Sequence, residues 1–189
     1  MNPQTKRNSL LTLFLMLGFV MACNMLGDDT NKANGLVGDG NKAIVAANQA
    51  SVEALSKNSK LFNDLKSFPG DREKVRASAQ EEMDLIDKSS ASFREASKKF
   101  EEASKLKLEE KFKEYLALKS QEFSKHADQV DVAKELPQAV LDPATKDALA
   151  LRSKITDINE RVMKLETEWK DLETKADKIR TDNKDKFKS

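Results

Sequence analysis

Residues 151–179 read LRSKITDINERVMKLETEWKDLETKADKI, and this stretch decides the fold. Leu151, Ile155, Ile158, Val162, Leu165, Trp169, Leu172, Ala176 and Ile179 alternate four and three residues apart. On a helix that spacing lays the apolar side chains along one stripe, a coiled-coil seam sustained over about four heptads. Its flanks carry opposite charges four residues apart, such as Glu166 and Lys170, as a solvated helix surface does. Asp142-Pro143 predicts where this helix starts: an aspartate N-cap, then proline at the first helical position, where its missing N–H costs no hydrogen bond.

Upstream, no proline or glycine interrupts the chain from Asp71 to Leu136. Ala79, Ile86, Phe93 and Phe100 recur every seven residues, and the seam restarts one residue out of register at Leu108, Phe112, Tyr115 and Phe123. Such a slip predicts a stutter, or a break at the serine-rich Ser89-Ser90-Ala91-Ser92. One continuous helix is the favoured reading, because serine weakens a helix without preventing it. Asp71 is positioned to cap this helix, with Glu73 and Glu81 toward its positive end. A further helix is expected from Asn41 to just before Pro69-Gly70, with Val45, Val52, Leu55, Phe62 and Leu65 as its apolar face.

These elements predict an all-α fold: an elongated antiparallel bundle of three long helices, four if the second breaks, with coiled-coil-like seams. No alternating strand pattern bounded by hairpin turns competes with it. Charged residues make up 34% of the chain and aromatics 6%, which suits narrow seams between long helices better than a thick core. The 33 basic residues nearly balance the 32 acidic ones, which argues against a nucleic-acid partner, since phosphate selects clustered positive charge.

The N-terminus has the three parts of an export signal: Lys6 and Arg7, an apolar run from Leu10 to Met21, and the small Ala22. The run is shorter than the ~20 residues a membrane-spanning helix needs. Phe19-Val20-Met21-Ala22-Cys23 then reads as a lipobox, in which Cys23, the chain's one cysteine, is acylated and becomes the new N-terminus. The alternative is an ordinary signal peptide followed by a free thiol. Asn24 to Gly40 holds four of the six glycines among Asp and Asn residues and is expected to be a flexible tether. The expected organisation is therefore a signal at 1–22, a lipidated cysteine and tether at 23–40, and a helical domain at 41–189.

Leader, lipobox, tether, size and helical organisation together resemble the outer-surface lipoproteins of Borrelia, most closely the relapsing-fever lipoproteins that bind complement factor H. The resemblance implies an outer-membrane, lipid-anchored protein at the cell surface that binds a host serum protein, factor H, in evasion of complement. A structural role is the second expectation: a periplasmic or surface coiled-coil spacer, or a homo-oligomer whose seams pair between copies.

Chemistry-bearing motifs are sparse, and no enzyme activity is expected. His126, the only histidine, reads as a surface residue; Glu122 four residues earlier could share a metal with it, but no second histidine or cysteine completes a site. Ser104-Lys105-Leu106-Lys107 fits a Ser-x-x-Lys pattern without the partner motifs of acyl-enzymes. No metal and no cofactor beyond the covalent lipid on Cys23 is expected. Trp169 falls in the seam and reads as core. The lysine-rich end, Lys178 to Lys188, is a fraying helix end or a basic contact for an acidic polymer. Leu136, Pro137, Val140 and Leu141 lie in the expected connection 131–143. Apolar residues there either fold back over the end of the bundle or form a ligand-binding surface.

Overall fold

The computed structural model describes residues 28–65, 71–142 and 148–187. Five helices form: α1 (Asp28–Asp64), α2 (Arg72–Ser104), α3 (Glu110–Ala133), α4 (Glu135–Leu141) and α5 (Ala148–Asp182). No strand occurs among the described residues. The four long helices pack in chain order and antiparallel, α1 on α2, α2 on α3 and α3 on α5, while the short α4 lies across α2 and α5. The all-helical bundle expected from the seams is therefore observed, in its four-long-helix form.

The long middle helix does break, but not at the serines. Ser89 lies inside α2, where its hydroxyl donates to the Ala47 carbonyl at 3.0 Å and sits 2.6 Å from the Ser51 hydroxyl, satisfying a buried polar group against α1. The break comes at Lys105–Glu109, where the seam slips register. There Leu106 and Leu108 turn inward onto the core, and the Lys107 N–H donates to the Asp29 carboxylate at 3.2 Å. Changing direction lets Phe100 and Phe112, whose phases conflict on one continuous helix, both reach the interior. Asp71 caps α2 as expected, accepting from the Lys74 N–H at 3.4 Å.

Two further expectations are corrected by α1. The expected tether is helical from Asp28 onward, through Gly35, Gly38 and Gly40. Each glycine disfavours a helix by about 1 kcal/mol against alanine, but here Ala33, Val37 and Ala43 are buried in the core and hold the segment helical. Gly40 is required by the packing: a Cβ there would sit 3.1 Å from Phe100 Cε2, whereas Gly35 and Gly38 face open space. The expected apolar face of α1 is also reversed. Ala33, Ala43, Ala47, Ala50, Ala54 and Leu61 are buried, and Val45, Val52, Leu55 and Phe62 are exposed, with Leu65 partly covered. Facing α1, α2 presents Phe100 to Gly40 and Ser89 to Ala47, and small residues on α1 let the two backbones approach there.

Two clusters make up the core. One joins Val37, Phe93, Phe100, Tyr115, Leu116, Phe123 and Ala176 at the end where α1 begins. The other joins Leu61, Val75, Ala139, Val140 and Leu151 at the opposite end. On α5, the seam positions are the covered ones: Leu151, Ile158 and Ala176 are buried, and Ile155, Val162, Leu165, Trp169, Leu172 and Ile179 are half-buried. Helix α5 is described from Ala148; Asp142 ends α4 in extended backbone, and the expected helix start at Pro143 lies outside the described residues.

Candidate functional site

The segment expected to connect helices is itself helical. Residues 131–133 complete α3, Lys134 makes the corner, and α4 follows. Pro137 stands in the first turn of α4, where no intrahelical partner for an N–H is lost, while continuing α3 through it would clash with the carbonyl four residues back. The ion pair of Arg161 with both oxygens of Glu135, at 2.6 and 2.7 Å, and the hydrogen bond from Arg76 to the Leu141 carbonyl, at 3.3 Å, fasten α4 to its neighbours. Leu136, Pro137 and Val140 are buried and Leu141 is half-buried. These four residues therefore close the end of the bundle. Their burial favours folding back rather than a ligand surface, because covered side chains offer a partner little area.

A polar and aromatic cluster lies between α2, α3 and α5. His126 is buried, not at the surface, and its ring stacks on Trp169 at 4.2 Å and on Phe93 at 5.0 Å between centroids. Trp169 Nε1 donates to Gln129 at 3.1 Å, and Gln129 donates in turn to the Val162 carbonyl at 3.2 Å, which ties α3 to α5. Burial, with the nearby Lys119 ammonium, pushes the imidazole down to about 3, so it is neutral across physiological pH. Glu122 is buried one turn earlier and accepts from Lys119 at 2.6 and 2.8 Å. Burial raises this carboxyl to about 7 even though Lys119 acts against the shift. Glu82, buried at the α1–α2 interface, is also raised to about 7 by burial, partly offset by the hydrogen bond it accepts from Asn58. Among the described residues no group of three or more His, Cys, Asp or Glu side chains converges as a metal site. Trp169, Gln129, Lys119 and Glu122 pair inside a helix interface while His126 Nε2 is buried without a hydrogen-bond partner, a place that sequence periodicity does not distinguish from the surface.

The lysine-rich end is pinned down. Phe187 packs on Phe112 at 4.3 Å and on Tyr115 at 5.3 Å, and Lys186 pairs with Glu109. Lys178 and Lys184 remain exposed, and Lys188 lies outside the described residues. Cys23 and the whole export signal also lie outside them. Among the described residues no helix is long and apolar enough to cross a membrane.

Four of the exposed large apolar side chains belong to the face that the sequence predicts as core. Val45, Val52, Leu55 and Phe62 form a row along the outer side of α1. The signal that could have found it is the alanine repeat on the opposite side of the same helix. Comparison with protein-family models, curated proteins and solved structures finds no match for this chain.

Proposed function

We propose that the protein is a lipid-anchored, non-catalytic binding module displayed at a cell surface, with a host serum protein as ligand and complement factor H the first to test. The observation that carries this reading is that α1 begins at Asp28, five residues after Cys23, and runs 37 residues to the opposite end of the bundle. An acylated Cys23 would grip the bundle at the end where α1 begins. The far end, closed by α4, would then stand about 55 Å along the helix axis from the anchor. A rigid bundle held at one end presents its polar sides and far end to soluble partners. One observation favours a second reading, a spacer that pairs with its own copies: the exposed apolar row on α1.

Metabolic labelling with a fatty acid tests the anchor. Wild-type protein takes up label and Cys23→Ala releases an unlabelled protein from the membrane; unlabelled wild-type protein would remove the lipoprotein reading. Protease treatment of intact cells separates surface display, where the protein is lost, from a shielded spacer. Residues 23–189 carrying Cys23→Ala, used as bait in host serum, are expected to retain factor H, and failure to do so rejects that ligand.

A further inference from the structure

Five large apolar side chains are exposed among the described residues, and four stand in one row on α1: Val45 at 40%, Val52 at 54%, Leu55 at 43% and Phe62 at 39%. Asn48 and Ser59 complete the row, which steps 45, 48, 52, 55, 59, 62 in alternating threes and fours, the heptad spacing of the seam on α5. No charged residue occupies these positions or the flanking positions 44, 49, 51, 56, 58 and 63. That is unusual in a chain of which 34% is charged. Helix α1 meets α2 through its opposite, alanine-lined face, so the row points away from the bundle.

We propose that this row is the seam of a parallel, in-register dimer, occupied by α1 of a second copy of this chain. A two-fold symmetric parallel pair sets each position against itself. Val45, Val52, Leu55 and Phe62 then bury apolar surface on identical residues. Asn48 meets Asn48, an amide pair in which each partner both donates and accepts. In the middle heptad, Val52 at the first position with Leu55 at the fourth is the combination that favours two parallel strands. The uncharged flanks bring no like charges together. Parallel orientation rests on the anchored reading above: two acylated Cys23 residues in one bilayer place both α1 N-termini on the same side. Confinement to a membrane raises the effective concentration, so a short seam suffices there.

Sedimentation equilibrium of residues 23–189 with Cys23→Ala, which hold every helix of the fold and no cysteine, tests the seam without lipid or host protein. A concentration series should reach twice the mass of one chain. Leu55→Glu with Phe62→Glu should return the mass to one chain with unchanged helical circular dichroism, because both side chains already stand at the surface. Val52→Ser should weaken the dimer several-fold, and it carries the test should the double variant fail to fold. Adding Val45→Cys should give disulfide-linked dimers on oxidation. A mass of one chain up to millimolar concentration overturns the proposal, as does a dimer that survives the substitutions. Linkage that appears only when Val45→Cys is mixed with Phe62→Cys would mean antiparallel pairing, and overturns it too.

Discussion

Single residues in this bundle carry effects of opposite sign that depend on what lies across from them. Gly38 and Gly40 are two positions apart on α1, but only Gly40 faces a neighbour, the ring of Phe100. Gly38→Ala should raise stability by about 1 kcal/mol, the helix-propensity difference. Gly40→Ala gains the same propensity but presses on Phe100, itself buried and stacked on Phe123 at 5.5 Å. Its thermal midpoint should fall clearly below that of Gly38→Ala.

The buried ionisable groups set a pH profile whose signs can be worked out. Glu82 and Glu122 hold their protons up to about 7 in the fold and lose them near 4.5 when unfolded. The stability they contribute is complete below 4.5 and lost as pH rises through 7. His126 works in the other direction: it stays neutral down to about 3 in the fold but protonates near 6.5 when unfolded, so its contribution is complete above 6.5 and lost as pH falls toward 3. Above pH 4.5 the two carboxyls lose more stability than the one imidazole gains, so the contribution of these groups to the melting temperature should be highest at about pH 4.5. Melting curves across the range check this. Glu82→Gln should flatten the alkaline slope and His126→Phe the acid one.

At the scale of elements, α4 and α5 offer contrasting tests of burial. Exchanging Leu136 and Val140 for serine removes two side chains from the closed end, and each should cost roughly 2–5 kcal/mol, as large-to-small core changes do. Reduced melting with retained ligand binding is the expected outcome. On α5, Ile158 is buried while Leu165 is half-buried. Ile158→Asp should therefore lower the thermal midpoint more than Leu165→Asp, and both far more than Lys170→Ala, whose ammonium pairs with Glu166 on the surface. Equal small effects at all three positions would mean that the α5 seam is not a packed interface.

For the whole molecule, the order of packing matters more than the number of helices. Each long helix packs against its neighbours in the chain, so α1 is held by α2 and keeps its other side open. Such a chain-ordered bundle has largely local topology, and folding by successive hairpins is expected to be fast. The open side also makes self-association the property most worth measuring, because it would change how many copies of the module act together at a membrane. If lipid and seam both hold, Cys23→Ala should leave the protein soluble and dimeric, with a dissociation constant that only concentration reveals.

The sequence by itself determined that this protein is helical, that α5 carries a continuous seam, and that the middle helix changes phase between Phe100 and Leu108. Those features are local: heptad spacing, missing breakers and a slip in register are all properties of neighbouring residues. Only the tertiary structure decided that Gly35 to Gly40 belong to a helix, that His126 is inside, and that the 136–141 segment closes the bundle. It also decided which face of α1 is buried. Periodicity identifies residues that share a stripe, but α1 has two, one of alanines and one of Val45, Val52, Leu55 and Phe62. The choice between them depends on the partner's shape, as where the Phe100 ring of α2 packs against Gly40.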